Sequence, residues 1–362
     1  MLNIESIVSI PNKCQEFFKS YNRVIPIILF GAGGGCSNAA KMFLSHEIMP
    51  QTICDNDSKK WGRFYEDIPI TSLYDAIMRY EDFNIFVSAP NNAHDIIPDL
   101  RQKVGEDKIY FFDADTRIDL QSYKKYLLEN KDFINSLFQS FKDTLSKQVL
   151  ENMLKGWISC DYKYFEEIYS SPQYFPKDIF QLSQYETFLD IGAYTGDSIE
   201  EFIRQTDCKY KRIIAIEPNL DCKDKLDSIK NQYRDIDVIY NGVFNKSDKI
   251  LFDNTGIKST AHFCLDKQDS SIEKCVEVYT IDSLIKEKVT FIKMDIEGLE
   301  LQALEGAKDL IKEYRPKLAI SVYHKTDDIV EIPKFVQNLN LDYTLYLRHH
   351  SWYTGETVLY AI

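Results

Sequence analysis

Polar residues with chemical capacity stand at four places in the second half of the chain, each where an apolar run stops. Asp190-Ile-Gly192-Ala193-Tyr194-Thr-Gly196-Asp197 follows TFL, and Glu217-Pro218-Asn219 follows RIIAI. Asn241-Gly242-Val243 follows DVIY, and Lys293-Met294-Asp295-Ile296-Glu297-Gly298 follows VTFI. Gly192 and Gly196 let a backbone turn tightly and approach a ligand closely. The acids around them suit a ligand with a cationic amino-acid head group and would repel a pyrophosphate. An acid such as Glu217 after a second strand can accept both hydroxyls of a ribose. Asn241 and Gly242 stand where an adenine ring packs, and Asp295 and Glu297 would lie at a reacting centre. Any one of these turns is weak by itself, since an acid there can simply cap a helix. Four in order, each at a strand end, point to a nucleoside cofactor. A nicotinamide dinucleotide is the rival, but it favours G-x-G-x-x-G, and this turn lacks the middle glycine.

Proton-transfer candidates follow. His324 closes the run KLAISVYH beside Lys325, and Arg348, His349 and His350 close LDYTLYLRHH. A histidine titrates near neutrality and suits a general base. The reading favours His324, supported by Asp295 or Glu297. Strand neighbours face opposite ways, so His349 and His350 cannot both enter one site. Lys325, Arg348, His349 and His350 are candidates for holding an acceptor, the two cations an anionic one. Two acids and up to three histidines could also bind a divalent metal, but they lack metal-type local spacing, and no metal is expected. Tyr174 and Phe175, before Pro176, could cover the pocket or simply pack.

The first third carries a second glycine turn. Gly31-Ala-Gly33-Gly34-Gly35-Cys36 follows VIPIILF, and Asp55 and Asp57 end the run TICDND. This nearly matches G-x-G-x-x-G and reads either as a phosphate cradle at a helix N-terminus or as a turn that has lost its ligand.

These groups need strands to position them. VIPIILF (24–30), TICDND (52–57), NIFVSAP (84–90) and KIYFFD (108–113) read as four buried parallel strands separated by helices. Residues 134–157 show apolar positions three or four apart, which predicts one amphipathic helix through Ile134, Phe141, Val149 and Trp157. From residue 183 the βα alternation returns: ETFLDIG, RIIAIEP, DVIYNGVF, VTFIKMDIEG and KLAISVYH, then LDYTLYLRHH and ETVLYAI joined by SWYTG. So short a link requires an antiparallel pair. The expectation is an α/β chain of two Rossmann-like doubly wound domains: residues 1–115, a helical connector 116–182, and a seven-stranded domain 183–362. That last architecture is the one found in S-adenosylmethionine (SAM)-dependent methyltransferases.

LDIGAYTGDS, AIEPN, KMDIEGLELQALEGA and the terminal RHHS…ETVLYAI together resemble the FkbM family of SAM-dependent methyltransferases over about residues 160–362. The resemblance implies methyl transfer from SAM to oxygen, commonly on sugars, polysaccharide units or polyketides. By matching position, Asp190, Gly192, Gly196 and Glu217 would form the SAM site, and Asp295 and Glu297 would lie at its junction with the acceptor. GAGGG…ICDNDSKKWGRFYEDIPI resembles the N-terminal domain of sugar acyltransferases, which implies a nucleotide-sugar handle at Gly31, Gly33, Gly34 and Asp55. Two other readings stay open. One is a nicotinamide-dependent sugar-nucleotide enzyme run by the first turn, although that half lacks a Tyr-x-x-x-Lys pair. The other is a non-catalytic binding module.

Composition narrows the partners. The chain has 362 residues with 43 basic and 56 acidic side chains, a net charge of −13. That field repels nucleic-acid backbones and anionic membranes, so neither is an expected partner. A small-molecule or glycan acceptor is expected, with a homo-oligomer open. Eight cysteines without C-x-x-C spacing fit reduced thiols rather than a zinc knuckle. The N-terminus carries no secretion pattern, so a cytoplasmic enzyme of bacterial polysaccharide biosynthesis is expected.

Overall fold

The computed structural model describes residues 1–21, 23–89, 92–111, 119–253, 262–264 and 274–362. The chain divides into two compact units. One comprises Met1–Phe138, Gln148–Tyr169 and His349–Gly355; the other comprises Gln139–Lys147, Ser170–Arg348 and Glu356–Ile362.

The first unit holds a six-stranded sheet of β1 (Ile27–Phe30), β2 (Thr52–Cys54), β3 (Phe64–Tyr65), β4 (Ile68–Thr71), β5 (Asn84–Val87) and β6 (Ile109–Phe111), in the order β3-β4-β2-β1-β5-β6. All neighbours run parallel except the β3–β4 hairpin. Strand β1 is buried throughout and feeds two cores. Ile28 and Phe30 join one, and Ile27 and Leu29 join the other. That alternation is why a parallel strand reads as an unbroken apolar run. The hairpin was not foreseen, because its strands are two and four residues long. Residues 90, 112 and 113 of the expected third and fourth strands, and the expected boundary at 115, lie outside the described residues.

The single helix expected over 134–157 is two, Lys131–Ser140 and Thr144–Ser159. Asp143 Oδ1 accepts from the Ser146 N–H at 2.7 Å, and this side-chain cap restarts the chain as a new helix. Periodicity alone cannot see it.

The second unit holds the expected seven-stranded sheet: β7 (Thr187–Ile191), β8 (Arg212–Ile216), β9 (Ile236–Ile239), β14 (Phe291–Met294), β15 (Lys317–Ser321), β16 (Leu345–His349) and β17 (Thr357–Ala361). Its order is β16-β17-β15-β14-β7-β8-β9. The pairs from β9 to β15 are parallel, and β17 runs antiparallel to β15. An aromatic core fixes β7 and β14, with Phe188 stacked on Phe202 at 4.5 Å and on Phe291 at 5.2 Å between centroids. The expected third strand, 237–244, is broken. After β9 the chain leaves the sheet, and β10 (Gly242–Val243) pairs with β13 (Lys274–Tyr279) in a separate four-stranded sheet with β11 (Asp248–Asp253) and β12 (His262–Cys264). Among the described residues, no helix is long and apolar enough to cross a membrane.

Candidate active site

Parallel strands deliver their following loops to one edge of the second unit's sheet. At the end of β7, Gly192 has φ +78° and Gly196 has φ +87°. A Cβ on Gly192 would stand 1.8 Å from the Asp295 carbonyl oxygen, so only glycine lets the β7 and β14 loops meet. The N–H groups of Gly192 and Ala193 both donate to the Ile216 carbonyl, at 2.9 and 3.2 Å, which ties the turn to β8. Glu217 accepts from the Tyr194 N–H and the Asn219 N–H, one on each oxygen and both at 2.8 Å. Each oxygen therefore keeps a lone pair. Burial pushes the Glu217 carboxyl up, against these two N–H bonds.

Asp190 points the other way. It is fully buried, accepts from Ser198 Oγ at 2.5 Å and lies 3.1 Å from Lys293 Nζ. Lys293 donates to the Gly192 carbonyl at 2.6 Å. Despite its burial, the flanking Asp190 and Asp295 hold its ammonium above the ordinary lysine value.

Beyond β14 and β15 a carboxylate cluster surrounds one histidine. His324 Nδ1 lies 2.9 Å from Glu300 Oε1, and its Nε2 lies 3.4 Å from Asp295 Oδ1 and 3.5 Å from Glu297 Oε2. Tyr174 donates to Asp295 at 2.5 Å, and Tyr323 reaches the same carboxylate at 3.4 Å. Glu300 also accepts from the Ile296 N–H at 2.8 Å, and Asp328 accepts from the Lys325 N–H at 2.8 Å. Burial opposes charge on the imidazole, but Glu300, Asp295 and Glu297 overcome it and push its pKa up to about 10. Burial, helped by the neighbouring carboxylates, pushes Glu297 up to about 7. Asp328 likewise rises to about 7, by burial and the charge of Glu300. Asp295, although buried, is held below its ordinary value by His324 and Lys293. Asp295, Glu300 and His324 each bring one donor atom within 4.8 Å of the others, a spacing that a divalent cation could use. The protonated imidazole places positive charge at the same point.

The family model described as the methyltransferase FkbM domain matches residues 190–349. That match spans the strand-end loops and the carboxylate–histidine cluster just described. A solved structure described as methyltransferase FkbM from Methylobacillus flagellatus KT shares its fold, with a TM-score of 0.74 and 24% identity, covering 99% of this chain and 98% of that one. Fibrillarin from Aeropyrum pernix matches at TM-score 0.34 and 11% identity over 51% of this chain and 70% of that one. A SAM-dependent methyltransferase from Aquifex aeolicus matches at TM-score 0.31 and 16% identity over 51% and 85%. A comparison with curated proteins gave no match.

The matched region brings together part of the set read from sequence. Gly192, Ala193, Tyr194, Gly196, Glu217, Pro218 and Asn219 lie in the loops that follow β7 and β8, while Asp295, Glu297 and His324 meet as expected. Lys325 lies against Gly298, where an added Cβ would be 3.4 Å from its Cε. Several expectations need correction. Asp190 reaches no ligand surface, because Lys293 and Ser198 enclose it. Asn219 caps the turn that follows it, accepting from the Asp221 N–H at 3.0 Å. Gly242 is buried in the β10–β13 ladder, and Asn241 leads into it. Arg348 is 3% exposed and bound to Asp178 and Asp143, each at 2.6 Å, so no acceptor can use it. His349 belongs to the first unit, fully buried 3.4 Å from Ser351 Oγ, and burial drives its pKa down to about 3. His350 follows it in that unit's 349–355 segment. Tyr174 contacts Asp295, whereas Phe175 packs against Phe188 and Phe291 in the core.

Lys293, Glu300, Tyr323 and Asp328 were missed. Two left a signal. Lys293 interrupts a wholly buried strand directly opposite Asp190 in the parallel register. Glu300 shares the buried helix face of Ala303 and Leu304.

In the first unit, Asp55 turns inward as well. Its oxygens accept from the Ala32 N–H at 2.7 Å, the Asp57 N–H at 2.8 Å and Lys60 at 2.9 Å. Gly31 has φ +111°, and an added Cβ would meet Ala89 at 2.6 Å, so this glycine serves chain packing. Gly33 has open space around it and precedes the helix Gly34–Ser45.

Proposed function

We propose that the FkbM domain transfers a methyl group from SAM to a hydroxyl oxygen of a sugar or glycoconjugate, with Glu297 as the general base. The observation that carries this reading is the Asp295–Glu297–His324 cluster, set against the Gly192 turn. The donor set fits the cofactor. Glu217 offers two carboxylate oxygens with free lone pairs for a ribose diol, and the Gly192–Gly196 turn offers close backbone approach. Asp295 and Asp197 supply the negative charge a cationic head group requires. When bound, SAM supplies the electrophilic methyl.

The chain's own task is to hold and deprotonate the acceptor. His324, the base expected from sequence, carries its proton firmly at neutral pH and has no free lone pair to give. Glu297, near half ionised at pH 7, can take the hydroxyl proton, and the His324 imidazolium then stabilises the carboxylate–acceptor pair. Tyr174 and Tyr323 fix the Asp295 carboxylate. Lys325 stands over Gly298, where it can orient an anionic acceptor.

Titration of the protein with SAM, S-adenosylhomocysteine and NAD under thermal denaturation checks the cofactor. The first two should stabilise it; stabilisation by NAD alone would overturn the reading. Glu297→Gln should keep SAM affinity and lose methyl transfer by about 10²–10⁴-fold. Full turnover in that variant would remove Glu297 from its role.

A further inference from the structure

Six of the eight cysteines, Cys14, Cys36, Cys54, Cys160, Cys208 and Cys222, fall into two kinds. Cys36, Cys54 and Cys222 are buried, and burial pushes their thiols up to about 11, 12 and 11, which denies them the thiolate form. Cys208 is exposed. Cys14 and Cys160 differ from all four. Both are partly accessible, and although 146 residues apart they bring their sulfurs to 3.3 Å. Both sulfurs also face the Phe111 carbonyl, at 3.5 and 3.6 Å. Their neighbours are already clamped. Asn12 Nδ2 donates to the Ile158 carbonyl at 2.9 Å, and Lys13 pairs with Asp161 at 2.6 Å. These links, made just before Cys14 and on both sides of Cys160, hold the start of the helix Lys13–Ser20 against the end of the helix Thr144–Ser159.

We propose that Cys14 and Cys160 are a redox modification site that closes to a disulfide when the protein meets a hydroperoxide. Closure asks the sulfurs to approach from 3.3 Å to about 2.05 Å, a short step for two side chains already in contact. In the first step one cysteine sulfur attacks a peroxide oxygen. An S–O bond forms, the O–O bond breaks, and the leaving hydroxide takes the thiol proton as water. In the second step the partner sulfur attacks the resulting sulfenic acid. The S–S bond forms, the S–O bond breaks, and the second hydroxide leaves as water with the remaining proton. Two thiols are oxidised and one hydroperoxide is reduced, hydrogen peroxide to two waters and an organic hydroperoxide to an alcohol and a water. Thiol reductants reverse the change. The long enclosed loop makes this a strong staple for the first unit.

The full-length protein, treated with a small excess of hydrogen peroxide, is then alkylated, digested without reductant and mapped by mass spectrometry. The expected product is one peptide joining Cys14 to Cys160. Free thiols should fall by two from the eight of the reduced chain. The melting temperature should rise by on the order of 5–10 °C and return with dithiothreitol. Cys14→Ala and Cys160→Ala should each abolish the joined peptide. The wild-type map stands even if a variant folds poorly. An unchanged thiol count, separate sulfinic or sulfonic acids at the two positions, or pairing of Cys14 with any other cysteine would overturn the proposal.

Discussion

A histidine among three carboxylates behaves differently from a histidine at the end of an isolated strand. In sequence, His324 is a group with a pKa near neutrality and two acids within reach. In the folded chain, Glu300 reaches its Nδ1 side, Asp295 and Glu297 face Nε2, and the proton stays on. The titration that matters near pH 7 therefore moves to Glu297, whose carboxyl is held up by burial. This fixes the sign of the pH dependence. A base must be ionised to work, so turnover at saturating acceptor should rise with pH through about 7. It should fall again only near pH 10, where His324 loses its charge. Methyl-transfer rates measured across pH 5.5–9.5 check this. A limb centred near pH 6.5 that survives Glu297→Gln and vanishes in His324→Gln would return the base to the histidine.

At the scale of elements, the site depends on how β7 and β14 are joined. Their parallel register sets Lys293 opposite Asp190, and both side chains are buried. From Lys293, one hydrogen bond runs to the Gly192 carbonyl at the start of the turn. Removing one partner of a buried pair leaves an uncompensated charge, which costs about 3–5 kcal/mol. Lys293→Met should destabilise the second unit by that order and weaken SAM binding through the turn. Lys293→Met combined with Asp190→Asn should recover most of the stability, because the amide keeps a partner for Ser198 without the charge. Denaturant melts of the two variants decide it; a single variant as stable as the parent would show that the pair does not hold these strands together. The same elements show what the sequence could disclose. Strand ends carrying Gly192, Glu217, Asp295 and Glu297 were legible because loops after parallel strands share one edge. Arg348 sat at a strand end too, yet the residues that claim it, Asp143 and Asp178, come from elsewhere in the chain. Edge position is local information, whereas partner choice is tertiary. For the same reason Asp143, an unremarked residue in a helical pattern, both caps a helix and neutralises Arg348.

At the scale of the whole molecule, the buried cluster shapes stability against pH. Glu297 and Asp328 both hold a folded pKa of about 7, above ordinary carboxyl values of 4.5 and 3.8. A group raised on folding stabilises the fold below its unfolded pKa and loses that contribution as pH rises through the folded one. For these two carboxyls the loss spans the interval from about pH 4 to 7. His324, raised from 6.5 to about 10, keeps its contribution below pH 6.5 and loses it towards pH 10. The carboxylates held low, Asp295, Glu186 and Asp143, have finished titrating above pH 5 and add no slope there. The net charge of −13 acts in the same direction, since each further ionisation adds to self-repulsion. The apparent melting temperature should therefore fall by on the order of 5 °C between pH 5.5 and 8.5, against the common expectation that a folded protein is indifferent across neutrality. General repulsion shares this sign, so the deciding comparison is with Glu297→Gln combined with Asp328→Asn. That variant should lose less melting temperature than the parent between pH 5.5 and 7, keeping only the shares of general repulsion, the other raised carboxyls such as Glu217, and His324. Thermal scans of both proteins in matched ionic strength measure the difference. Parallel curves over the whole range would mean that the two carboxyls titrate as ordinary surface acids and that the cluster does not hold their protons.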